Sequence, residues 1–224
     1  MSQHRRLNVL DHGYVRLVDH MGSDLSVVRS ARVSYDADWR TGEDEGKDEK
    51  LIRYLYKNGH TSPFESVVFT FEVQAPLFIT RQWMRHRTQS YNEMSARYTL
   101  VPDMFYIPST DVVGEQSKDS KQSRDLVSNP KSEEMVRNMC NGTRSMYNLY
   151  NSLLHRGMPR ELARTVLPVS MYTRFFTTVN LHNLLKFIAE RKHEHAQWEI
   201  QQYALAIEKL IKPIVPVTME IANE

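Results

Sequence analysis

The stretch SVVFTFEVQAPLFITRQWMRHR, Ser66 to Arg87, changes period in the middle. Val67, Phe69, Phe71 and Val73 fall on every second residue, the signature of a strand with one buried face. Pro76 then suits the first turn of a helix, where its missing N–H costs nothing. That helix is expected to deliver Arg81, Arg85 and His86 near its end. A strong strand running directly into a helix loaded with cation at its exit sets the frame for the rest of the chain.

On the N-terminal side, Leu7 and Val9 alternate, Asp11–Gly13 reads as a tight turn, and Tyr14, Val15, Leu17 and Val18 resume an extended segment. Ser23 is placed to cap a helix carrying Leu25, Val28 and Ala31. The run from Gly42 to His60 has its acids early and Lys57 late, the order a helix dipole favours. Gly59 is its stop. On the C-terminal side, residues 109–132 are polar and rich in serine and lysine, and are expected to form a mobile surface loop. A helix is predicted from about Lys131 to His155, stopping at Gly157, and Pro159 opens a short one. The segment SMYTRFFTTVN reads as extended or irregular. Asn180 caps the next helix. A last helix follows His195, with Ala196, Ile200, Tyr203, Ile207, Leu210 and Ile211 on one stripe, and Pro213 ends it. The order of strands, helices, strand and then mostly helices predicts an α+β fold in a single domain spanning 1–224.

At 224 residues the chain can bury a substantial core. Its net charge of +2 makes the cation of the opening stretch local, a site more than a general polyanion-binding surface. Cys140 is the only cysteine, so neither an intrachain disulfide nor a cysteine zinc cluster can form. The first residues lack the apolar core of a signal peptide, and no run approaches a transmembrane helix. A cytoplasmic protein with no membrane partner is expected.

Between Arg81 and Tyr98 lie four arginines, one histidine and a single acid, Glu93, interleaved with hydroxyl and amide side chains. Guanidinium binds phosphate bidentately and such neighbours complete the shell, so an anionic ligand is expected here. A phosphorylated small molecule and a nucleic acid both satisfy this chemistry, and Trp83, Tyr91 and Tyr98 would stack on a base in either case. His60, in a turn before the strand, reads first as a surface residue. His193 and His195 lack a third ligand at a sensible spacing, so no metal is expected, and Arg191 with His195 would share a helix face. Cys140 reads as a small buried residue inside a helix. Ser95 would need a base to act as a nucleophile, and none stands beside it in sequence. Neither a GxGxxG nor a P-loop is present.

Arg85-His86-Arg87, then seven residues, then Ser95, resembles the signature of the flavin-dependent thymidylate synthases. GHTSPFE (59–65), QWMRHRTQSYNEMSARY (82–98), PRELARTVLP (159–168), YTRFFTTVN (172–180) and HAQWEIQQYA (195–204) are similar to the same family, in order, from about Leu7 to about Ile211. The resemblance implies the thymidylate synthase-complementing protein fold, a single α+β domain with an antiparallel sheet and long helices. It also implies a homotetramer whose active sites are shared between subunits. The implied reaction is reductive methylation of dUMP to dTMP. The carbon comes from 5,10-methylenetetrahydrofolate, and the hydride from FAD reduced by NADPH, with no cysteine nucleophile. The anions of the opening stretch would then be the phosphate of dUMP and the pyrophosphate of FAD.

Carried over by position, dUMP would be held by Gln82, Arg85, Glu93, Ser95, Ala96, Arg97, Arg164 and Arg191. Arg191 would also be the catalytic group that polarises the pyrimidine. FAD would be held by Ser62, Arg85, His86, Arg87, Glu93, Asn180, His182, Lys186 and His195, with His60 on the flavin and folate side. Some relatives carry arginine at His182 and asparagine at Lys186, and both replacements keep hydrogen-bond donors. A nucleic-acid-binding module is the competing reading of the basic stretch. The near-zero net charge and the matching blocks elsewhere in the chain oppose it, so no nucleic-acid partner is expected.

Overall fold

The computed structural model describes residues 6–224. The N-terminal residues 1–5, part of the segment read for a leader, lie outside the described residues. In chain order, β1 (Arg6–Val9) turns into β2 (Gly13–Met21), followed by α1 (Asp24–Arg32) and α2 (Glu45–Lys57). Next come β3 (Val68–Pro76), α3 (Leu77–Trp83) and β4 (Ser90–Glu93). The serine- and lysine-rich segment holds the short ribbon β5 (Glu115–Gln116) and β6 (Arg124–Asp125). After it run α4 (Ser132–His155), α5 (Arg160–Ala163) and β7 (Tyr172–Asn180). The chain closes with α6 (Leu181–Lys192), α7 (Trp198–Ile211) and α8 (Pro216–Ile221).

The fold is α+β in one domain, as the order of elements predicts. Its antiparallel sheet has the strand order β1-β2-β3-β7-β4. β3 and β7 are the central pair, in register from Val68 opposite Asn180 to Pro76 opposite Tyr172. The alternation read from the sequence is realised: Phe69, Phe71 and Val73 of β3 are fully buried, and Val67 just before the strand continues the row. They join Phe175, Phe187, Leu184, Ile200, Tyr203 and Ile207 in the main core beneath the helices. On the opposite face Glu72 accepts from Arg16 at 2.5 Å and lies 3.7 Å from Arg174. A second cluster, Ala96, Val101, Phe105, Tyr150, Ala163 and Met171, packs between α4 and the strand ends.

Helix boundaries follow local chemistry. Asp44 caps α2 by accepting from the Lys47 amide at 3.1 Å. Gly59 follows that helix at φ +66°, a left-handed position where a glycine carries no Cβ penalty. Asn180 caps α6 by accepting from the Asn183 amide at 2.9 Å. At the sheet's turn, a Cβ on Gly13 would meet the Tyr203 hydroxyl at 2.1 Å and the Val9 carbonyl at 2.6 Å, so only glycine fits.

Several expectations need correction. The helix after Pro76 stops at Trp83, so Arg85 and His86 sit in the turn beyond it. The Tyr91 hydroxyl lies within reach of the carbonyl of Trp83, the last residue of the helix (3.1 Å), and of that of His86 in the turn (2.9 Å), and so ties the stop to the strand that follows. Of the two readings left open for residues 170–180 the extended one holds, since Tyr172–Asn180 form β7, paired with β3 along its length and with β4 from Phe175 to Thr178. β4 and α8 add elements that the sequence reading lacks. Cys140 is half-buried, because only Tyr150 of α4 is fully covered. Among the described residues, no helix is long and apolar enough to cross a membrane.

Candidate active site

β4 forms one edge of the sheet and ends at Glu93, where the chain leaves into a tight loop. The Thr173 hydroxyl donates to Glu93 Oε1 at 2.7 Å, which fixes the carboxylate against β7. Ser95 organises the loop. Its hydroxyl accepts from the Arg97 amide at 3.2 Å, and its carbonyl accepts from the amides of Tyr98 and Thr99. Ala96 is buried against the second core and anchors the loop from beneath. These residues wall a cavity of about 510 Å³ together with Arg81, Met94, Arg164, Thr165, Met171 and Thr173. The cavity gathers Glu93, Ser95, Ala96 and Arg164 from the expected nucleotide set. Arg97 lies outside it, 3.7 Å from Glu161.

A second group forms where the end of α3 meets the last turn of α6. Arg191 Nε donates to His86 Nε2 at 2.9 Å, and Arg191 Nη2 reaches the Gln82 carbonyl at 3.4 Å. The Gln82 side chain donates to Gln197 Oε1 at 2.5 Å, tying α3 to the cap of α7. The His86 ring stands edge-on to Phe187, 4.9 Å between centroids. Burial first, and then the Arg191 charge, lower the His86 pKa, with Glu190 opposing at 3.8 Å. His86 is therefore neutral near pH 7.

A third group lines a cavity of about 230 Å³ between α2 and α6, with Tyr56, His60, Phe64, His182, Leu185 and Lys186 among its walls. His182 and Lys186 stand one turn apart on the same helix, as the i and i+4 spacing requires. Burial first, and then Lys186, lower the His182 pKa.

Ser62, Arg85, Arg87 and His195 line none of these cavities. The expected pairing of Arg191 with His195 on one helix face is wrong. α6 ends at Lys192, His195 lies in the following turn, and its ring is tilted 41° to that of His193, 5.0 Å between centroids. The Asn180 side-chain oxygen, expected to face a cofactor, is engaged in capping α6. Arg81 is read in the sequence as part of the cationic stretch but given no ligand, and Thr173 and Gln197 are not read there at all. Arg81 carried a signal, since it opens the cationic stretch, but Thr173 and Gln197 are found only through tertiary contacts. Among the described residues no carboxylate comes within 4 Å of Arg81, Arg85, Arg87, Arg164 or Arg191. This excess of unpaired guanidinium is what an anionic ligand neutralises.

Residues 16–217 match the family model described as thymidylate synthase complementing protein, and the chain belongs to that family. A flavin-dependent thymidylate synthase from Thermotoga neapolitana is 46% identical over 215 residues, which cover 96% of this chain and 93% of the relative. The enzyme of the same name from Dictyostelium discoideum is 45% identical, over 98% of this chain and 74% of its own. Among solved structures, a UMP/dUMP methylase PolB from Streptomyces cacaoi bound with 5-Br dUMP superposes with a TM-score of 0.88. It shares 36% identity, with 97% of each chain covered. The same methylase bound with 5-Br UMP gives 0.85 at 36% identity.

Proposed function

We propose that this chain is a flavin-dependent thymidylate synthase that methylates dUMP to dTMP. The observation that carries the reading is the set of unpaired arginines converging with Glu93 and Ser95 around the cavity beside β4. It stands beside relatives named for this activity and a structural neighbour bound to a dUMP analogue. Nucleotide phosphate finds Arg81 and Arg164 in that cavity. Arg85 and Arg87, exposed and without carboxylate partners, fit the pyrophosphate of FAD, with His182 and Lys186 as further donors.

The finer chemistry is part of the proposal. FAD reduced by NADPH supplies hydride, and 5,10-methylenetetrahydrofolate supplies the carbon. The chain's own task is to make uracil C5 nucleophilic. Arg191 does this by placing a guanidinium against the pyrimidine, where it stabilises negative charge developing on the ring. Cys140, midway along α4 and outside both cavities, supports a route without a thiol adduct at C6. Ser95 keeps its proton, since among the described residues its hydroxyl bonds the Arg97 amide and no base, and it serves binding instead.

Two features support a homotetramer with shared sites. Among the described residues, the cavity beside β4 is walled by Glu93, Ser95 and Arg164 but not by Arg191, which stands with His86 at the end of α3. Met135, Met139, Met146 and Leu149 of α4 also stand exposed, an apolar face suited to burial against another copy. The reading is tested by titrating purified protein with FAD and then dUMP. A flavin spectrum that dUMP perturbs supports it. Protein that ignores FAD but shifts DNA on a gel rejects it in favour of a nucleic-acid module.

A further inference from the structure

Arginine on the last turn of a helix is a long, flexible side chain, and a polarising guanidinium acts only if it is aimed before the reaction begins. Arg191 is aimed from one side. Its Nε bonds His86 at 2.9 Å and its Nη2 approaches the Gln82 carbonyl at 3.4 Å, which leaves the Nη1 edge free. His86 is itself held. Its amide donates to the Trp83 carbonyl, its carbonyl accepts from the Tyr91 hydroxyl, and its ring leans on Phe187, one turn before Arg191 on α6. The two rows of contact therefore lock Arg191 to the end of α3.

We propose that His86 is a positioning residue for the reaction: its imidazole, protonated on Nδ1 and accepting through Nε2, orients Arg191 toward the pyrimidine. The inference rests on the role given to Arg191 above, and it adds to the place among flavin ligands that the family resemblance gives His86. A guanidinium has only donors, so the partner must offer a lone pair. Protonated His86 has none and would repel Arg191. The charged groups facing His86 are Arg191 and Glu190, both on α6, and Tyr91 reaches only its backbone. The pKa lowered by burial and by Arg191 keeps the accepting form populated at neutral pH. As pH falls through that lowered value the acceptor is lost, and turnover falls with it.

The test compares wild type, His86→Gln and His86→Ala in the full oligomer with flavin occupancy measured by absorbance. The expected result is a fall in kcat per bound flavin of about 100-fold for His86→Ala, the scale of a misplaced catalytic group. The dUMP dissociation constant, read by calorimetry, should move much less. Glutamine keeps an accepting oxygen, so His86→Gln should recover most of kcat and lose the acid limb of the kcat profile. Unchanged kcat per flavin in His86→Ala makes His86 a cofactor ligand only and overturns the inference. So does a His86→Gln profile that keeps the wild-type acid limb, a readout that stands even if the alanine variant does not fold. Arg191→Ala is run alongside. If it turns over normally the underlying role of Arg191 fails, whereas an inactive Arg191→Ala with an unimpaired His86→Ala removes the present inference alone.

Discussion

Arg124 and Glu199 form an ion pair of 2.8 Å in which the carboxylate is only 2% exposed. The Tyr106 hydroxyl donates to the same oxygen at 2.9 Å. The pair ties the ribbon of the serine- and lysine-rich segment to the first turn of α7. Truncating one partner of a buried pair leaves the other charge uncompensated. Arg124→Ala is therefore expected to cost about 3 kcal/mol, the low end of the range because Arg124 is itself a quarter exposed. That corresponds to a Tm fall of roughly 6–12 °C in a chain of this size. Differential scanning calorimetry checks it, and Arg124→Ala combined with Glu199→Gln should recover part of the loss.

Gly13→Ala tests the turn that starts β2. A methyl group there meets the Tyr203 hydroxyl, whose own bond to the Gln74 carbonyl is 2.8 Å, and two backbone carbonyls that cannot move independently. Overpacking of this kind costs about 1–3 kcal/mol. The urea midpoint should fall accordingly, and an unchanged midpoint would mean that the β1–β2 turn yields more readily than its contacts imply.

How far the sequence was legible depends on where each signal lived. β3 and α2 were readable because period, caps and charge order agreed over many residues. Asn180 was readable as a cap for the same reason. β4 was not, since Ser90, Tyr91, Asn92 and Glu93 carry no alternation and become a strand only by pairing with Phe175 to Thr178. The end of α3 was missed because the residue that ties it down, Tyr91, belongs to that strand. The grouping of Glu93, Ser95 and Arg164 in one cavity follows from residues 93–96 matching the family pattern. The neighbouring roles of Thr173 and Gln197 exist only as contacts across the fold. Cys140 looked buried because α4 has a regular apolar stripe, but within one chain much of that stripe has nothing to cover it.

That stripe gives a prediction about association. Sedimentation velocity on the wild type should find about four chains per particle. Met139→Lys, placing a charge on the exposed face of α4, should shift the distribution to smaller species. An active monomer would contradict the shared-site picture.

Cys140→Ser should leave turnover within about twofold of wild type, since replacing a half-buried side chain outside both cavities is expected to cost little. Steady-state dTMP formation measures this, and complete loss would revive a thiol mechanism.

The most direct test of the whole account is tritium release from C5-labelled dUMP, followed together with dTMP formation, for wild type and Arg191→Ala. The account predicts release to water matched by dTMP only when FAD, 5,10-methylenetetrahydrofolate and NADPH are all present, and almost none from Arg191→Ala. Release at the same rate without flavin, or undiminished in the variant, would contradict it.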